Sequence, residues 1–264
     1  MTGQAIYVLW LRDMKWFLRA RARVISWIVT PFLWLAIIGI GLNAAFARPD
    51  FNYLEFMAPG IVGMTLLFAS TMSGISVIWD KQFGFMKEIL VAPVSRIHIM
   101  LGKVLGGATI AILQGVLLLL AIGLFEVIGL IDIRTPGVIQ LLQIFVFMVL
   151  ISLSFVSVGL AFASKIEDPV AFPVVINFFI MPIFFTSGAI FPVGKIPGYL
   201  QTTLPGWLSS LTRINPLTYG IDGLRRAICP EYAQFSVWLD FGAILVFSLA
   251  MILLGGYLFR KISA

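Results

Sequence analysis

The sequence predicts an all-α membrane protein, one domain over 1–264 with six transmembrane helices. Composition is the first reason: of 264 residues, 60% are hydrophobic and only 11% charged, where soluble domains carry about 25% charged residues. The second is segmentation, with apolar runs at 24–46, 57–78, 104–125, 138–163, 170–191 and 239–259. Each is long enough to cross an apolar layer of about 30 Å at about 1.5 Å per residue. In lipid a backbone must satisfy its own hydrogen bonds, so runs of this length are helices and not the shorter alternating strands of a barrel. Little chain remains for a soluble catalytic domain.

Residues 1–23 precede the first run. On a helical wheel Arg12, Lys15, Arg19 and Arg23 fall on one side and Ile6, Trp10, Met14 and Phe17 on another, with Asp13 and Arg21 breaking the pattern. This predicts an N-terminal interfacial helix with its cations near anionic headgroups; a simple charged anchor has the same composition. So basic a start, with no small-residue cleavage pattern after it, argues against a cleavable signal peptide. With this end in the cytoplasm, twelve Lys and Arg lie on the inner side and six on the outer. That bias predicts a multi-pass protein of a cell membrane with both termini cytoplasmic.

Between the second and third runs lies a polar insert, 79–96, reading WDKQFGFMKEILVAPVSR. Its stretch 81–91 predicts a short amphipathic helix: Phe85, Met86, Ile89 and Leu90 make an apolar face, Lys81, Lys87 and Glu88 stay polar, and Pro93 ends it. Such a helix suits a partner's groove or a membrane surface equally. In the fifth run Pro173 and Pro182 predict kinks. After it, Pro192, Pro197 and Pro205 break 192–214 into pieces that are apolar yet too short to span. They read as re-entrant helices dipping into the outer leaflet, or as an amphipathic surface loop.

Chemistry is sparse. The chain lacks a phosphate-loop pattern, HExxH, paired Cys-x-x-Cys and GxSxG. Its one cysteine, Cys229, and one histidine, His98, offer no metal site, so no cofactor or metal is expected in this chain. Basic residues flank apolar runs, which fits topology and gives no reason to expect nucleic acid. The runs hold no interior carboxylate, lysine or arginine of the kind an ion-driven carrier binds its ion with. Gln114, Asn177, Gln140 and Gln143 are their notable polar residues, expected to bond neighbouring helices.

Two blocks resemble one family. GFMKEILVAPVSR with the following LGK (Leu101–Lys103), then SGAIFPVGKIPGYLQ (Ser187–Gln201) and NPLTYGIDGLR (Asn215–Arg225), are similar to the type-2 permeases of ATP-binding-cassette exporters. That family includes daunorubicin-resistance and nodulation-factor permeases, and the resemblance covers essentially the whole chain. It implies the permease subunit of an exporter: not an enzyme itself, dimeric, with two permeases docked on two copies of a separate ATPase that holds ATP and Mg, in a prokaryotic inner membrane. It implies that the insert carries a cytoplasmic coupling helix, so that Lys81, Gln82, Phe83, Gly84, Phe85, Met86, Lys87 and Glu88 meet the ATPase, Glu88 at the family's acidic position. It also implies that the late block forms extracellular re-entrant helices, with Asn215 capping the helix that runs to Arg225.

In that family the second and fifth spans line the dimer centre. Here Met64, Phe68 and Thr71 share one face of the second, and Asn177, Met181 and Phe185 one face of the fifth. These six are the candidate substrate path; stripes of this kind also face other helices. An apolar path predicts a hydrophobic or amphiphilic substrate, a drug, antibiotic or lipid. A lipid-linked saccharide or polysaccharide is the alternative, and an ion-coupled secondary carrier the second.

Overall fold

A computed structural model of the chain describes residues 2–46, 51–91, 94–129, 131, 136–193 and 205–260, and among these the regular elements are helices with no strand. Four helical stretches are long and apolar enough to cross a membrane: Tyr53–Gln82, Arg96–Val127, Val138–Lys165 and Val237–Arg260. The first and fifth predicted spans are helical but differ from expectation.

Helix α1 (Thr2–Arg19) breaks at Ala20, and α2 (Arg21–Leu33) follows. Pro31 lies inside α2, and the helix widens to π geometry over Trp34–Gly39 before resuming as α3 (Ile40–Phe46). A proline removes a backbone donor and crowds the preceding turn, and a wider turn just after it relieves that crowding. The sustained apolar part is Val29–Ala45, shorter than the predicted 24–46.

Tyr53–Gln82 is two helices, α4 (Tyr53–Met72) and α5 (Ile75–Gln82), joined through Ser73 and Gly74. Asn52 caps α4, its side chain accepting from the backbone N–H of Leu54 and Glu55. Nearly all of α4 is buried, making it the axis of the molecule. Its neighbours are α7 (Arg96–Val127), α8 (Val138–Lys165) and α11 (Pro216–Ile228). Close approach needs glycine: a Cβ on Gly63 would lie 2.4 Å from Ile221 Cγ1, and one on Gly159 would lie 2.2 Å from the Thr71 carbonyl oxygen.

α7 is 32 residues long, about 48 Å at 1.5 Å per residue, so it outruns a 30 Å apolar layer. Along it Leu9 meets Gly102, Asp13 meets Gly106, and Phe17 packs with Ile110. The same register continues past Ala20 to the Phe32 and Phe125 rings, 5.3 Å apart. α1 and α2 therefore run beside α7 in one direction. The apolar face of α1, expected to meet lipid, turns onto α7: Leu9, Met14 and Phe17 are buried.

The fifth predicted span ends early. α9 (Ala171–Phe185) has 15 residues, about 22 Å, and the expected continuation to 191 folds back at Gly188, whose φ of +74° suits glycine. Hydroxyls close the turn, Thr186 Oγ1 donating to the Pro182 carbonyl at 2.8 Å and Ser187 Oγ to that of Phe184 at 2.6 Å. Pro182 lies within α9, whereas Pro173 sits in its first turn, where a missing N–H costs no helical bond and no kink follows.

Of the predicted re-entrant element, 194–204 lies outside the described residues; α10 (Gly206–Ile214) covers its end, with Trp207, Leu211 and Ile214 exposed. α11 follows at once, capped as expected by Asn215, whose Oδ1 accepts from Leu217 N at 3.0 Å. The Asn215 amide nitrogen donates to the Ile183 carbonyl at 2.6 Å, tying α11 to the end of α9. α12 (Val237–Arg260) closes the bundle against α8 and α11.

Candidate functional site

The polar insert folds differently from the single helix expected over 81–91. α5 ends at Gln82, Gly84 turns the chain with φ +77°, and α6 (Phe85–Val91) follows as a separate short helix. The positive φ is the reason: only glycine takes it without strain, and it breaks the helical path. Pro93, expected to stop the helix, lies outside the described residues.

The eight predicted contact residues divide. Gln82, Phe83, Phe85 and Glu88 are exposed, Phe83 at 71% and Phe85 at 51%. Gly84 is half-buried and Met86 is buried. Lys81 points inward, its ammonium donating to the carbonyls of Ala163 at 3.0 Å and Ser164 at 3.2 Å. Those carbonyls end α8, where the helix dipole is negative. The Lys87 side chain lies outside the described part.

Above the insert, four side chains from three elements form an ion quartet. Asp80 of α5 receives Arg12 of α1 at 2.7 Å and Lys103 of α7 at 2.8 Å; Asp13 receives the same two cations at 3.3 and 3.4 Å. Lys103 also donates to Ser76 Oγ at 3.1 Å. Burial works against the charge of Arg12, but the hydrogen bond and charge of Asp80 outweigh it and raise its pKa. The quartet borders a cavity of about 500 Å³ whose other walls include Trp16, Trp79, Phe83 and Phe85. Sequence reasoning assigned Lys103 to topology and Asp13 to noise; the register of α1 on α7 pairs them.

A second cavity, about 380 Å³, lies between α2, α4, α7 and α9. Met64, Phe68, Asn177, Met181 and Phe185 line it together, so five of the six predicted path residues share one space. Thr71 does not: it is fully buried and its hydroxyl donates back to the Leu67 carbonyl. Pro31, Trp34 and Gln114 are among the further lining residues, where sequence reasoning gave no path residue. Ala69 and Met72 line both cavities and form the partition between them.

At the opposite end, Arg225 of α11 is buried, its guanidinium 4.1 Å from the Phe56 ring centroid and donating to the Gly188 carbonyl at 3.0 Å. The sequence reading placed this charge at the end of the helix capped by Asn215 and counted it among the outer cations, without a buried role. Helical spacing puts it on the buried face of α11, where a ring and carbonyls replace water. Among the described residues no cluster of three or more His, Cys, Asp or Glu could hold a metal ion.

The family model described as "ABC-2 type transporter" matches residues 4–229. The provisionally named transport permease ycf38 of Cyanophora paradoxa is 28% identical over 98% of this chain and 89% of its own. Nodulation protein J of Rhizobium meliloti (strain 1021) is 27% identical over 96% of this chain and 91% of its own. The provisionally named multidrug ABC transporter permease YbhR of Escherichia coli (strain K12) is 26% identical over 75% of this chain and 50% of its own.

Proposed function

The chain belongs to the ABC-2 type transporter family, and from that premise we propose that it is the permease of an ATP-driven exporter, moving a hydrophobic or amphiphilic molecule out of the cytoplasm or inner leaflet. Family membership makes it a multi-pass transmembrane transporter subunit with an ABC ATPase as its general partner. The finer reading is a homodimer of permeases on two copies of a separate ATPase that binds ATP and Mg, in a prokaryotic inner membrane with both termini cytoplasmic.

The observation that carries the reading is the shared cavity: residues picked from two spans far apart in sequence meet around one apolar space. Among the described residues its lining holds no ionisable side chain, which favours a drug, antibiotic or lipid over a lipid-linked saccharide. Transmission follows from the connections. The ATPase would press on α6 through the exposed Phe83, Phe85 and Glu88. α6 leads through Gly84 into α5, and the quartet fastens α5 to α1 and α7. α2 and α7 are walls of the cavity, so a displacement of that unit against α4 and α9 changes the cavity's shape.

Gentle purification of the tagged chain from its own membranes tests this. The expected result is an equimolar phosphate-loop ATPase that hydrolyses ATP faster when an amphiphilic substrate is added. A lone chain, with no ATPase recovered even after crosslinking, would overturn the proposal.

A further inference from the structure

Resting on that reading, we infer that the α2–α4–α7–α9 cavity binds an uncharged, largely apolar molecule carrying a hydrogen-bond acceptor, and that Gln114 is the residue that selects for the acceptor. Gln114 sits on α7 and is 2% exposed, and its Nε2 has no hydrogen-bond partner. Its counterpart Gln143 behaves as an amide in an apolar bundle should, donating to the Gly223 carbonyl at 3.0 Å. A buried amide without such a partner costs free energy that a ligand oxygen recovers on binding. Of the other polar groups in the lining, Asn177 is an exposed amide, and the two threonines donate within their own helices. Thr65 donates to the Ile61 carbonyl of its own helix at 2.9 Å and Thr30 to that of Ser26 at 2.9 Å.

Charge is excluded on the same ground. The walls include Pro31, Trp34, Met64, Phe68, Met181 and Phe185, and among the described residues of the lining there is no ionisable group. A charged ligand centre there would be desolvated without a counter-ion, which costs far more than one hydrogen bond returns. About 380 Å³ lies within the range of small-molecule sites. Methionine and aromatic walls accommodate varied apolar shapes, while the buried amide of Gln114, unlike the exposed amide of Asn177, imposes the acceptor.

The full-length chain in lipid nanodiscs tests this with three fluorescent probes: Nile red (uncharged, with a ring carbonyl), perylene (a hydrocarbon without an acceptor) and rhodamine 6G (a cation). Nile red is expected to bind saturably and more tightly than perylene, with no saturable rhodamine 6G site. Gln114→Leu should weaken Nile red about 10-fold and leave perylene within about twofold. Met181→Trp, which fills the cavity, should abolish both. Unchanged Nile red affinity in Gln114→Leu, with binding still lost in Met181→Trp, overturns the role of Gln114 and spares the cavity. Failure of Met181→Trp to affect either probe overturns the cavity reading itself. Saturable rhodamine 6G binding that Met181→Trp removes overturns the requirement for neutrality. Should Gln114→Leu not fold, Gln114→Met keeps the side-chain length without the amide donor, and Nile red affinity equal to wild type in that variant overturns the role of Gln114.

Discussion

Lys103 shows how a residue's meaning depends on what the fold brings to it. In the sequence it is one more cation beside an apolar run; in the fold its side chain is 1% exposed and meets Asp13 and Asp80. A buried ion pair gains little over an apolar pair, but removing one partner strands the others, at about 3–5 kcal/mol. Lys103→Met is therefore expected to lower stability by about 3 kcal/mol, leaving Arg12 alone to face two carboxylates. Asp80→Asn should restore part of that loss in the double variant, because the stranded charge goes with it. Thermal unfolding of the four proteins in one detergent measures the coupling, and strictly additive losses would mean the quartet does not act as a unit.

At the level of elements, helices were legible and their neighbours were not. The apolar runs place α8 and α12 within two residues of their observed ends, because a 20-residue apolar run has no other stable form in lipid, whereas α7 begins well before its run and the second run crosses the break between α4 and α5. Breaks were harder. Gly84 and Gly188 end helices through positive φ, and a lone glycine in an apolar or amphipathic pattern signals this only weakly. The amphipathic face of α1 was visible, but the choice between lipid and protein depends on Gly102 and Gly106, distant in sequence. A Cβ on Gly102 would lie 2.9 Å from Leu9 Cβ, whereas one on Gly123 of the same helix has nothing within 4 Å. Gly102→Val should thus loosen α1 and speed tryptic cleavage after Lys15 and Arg19, while Gly123→Val leaves the digestion unchanged. Equal digestion of both variants and wild type would show that α1 is not held by this contact.

For the whole molecule the question is whether the proposed docking and the proposed transmission are separable, and two residues, Glu88 and Arg12, put that to the test. Glu88 is exposed on α6, so with the ATPase docked there as proposed, Glu88→Ala should weaken its binding by no more than about fivefold, the worth of an exposed ion pair. Arg12 borders the same cavity as Phe85 of α6 and joins α1 to α5 through Asp80 at 2.7 Å, while Lys103 keeps its own hold on Asp80 at 2.8 Å. Arg12→Gln cuts one strut without stranding Asp80, and its cost in stability stays small because the side chain is 38% exposed. If force passes through the quartet, Arg12→Gln keeps the affinity for the ATPase and its basal hydrolysis but loses most of the acceleration by substrate. Glu88→Ala should do the reverse, with weaker docking and normal acceleration once saturated with ATPase. Affinity by titration and ATP hydrolysis with and without substrate separate the two effects. An Arg12→Gln protein that docks and responds to substrate as wild type does would mean that α6 reaches the cavity by another route, through Lys81 and the end of α8.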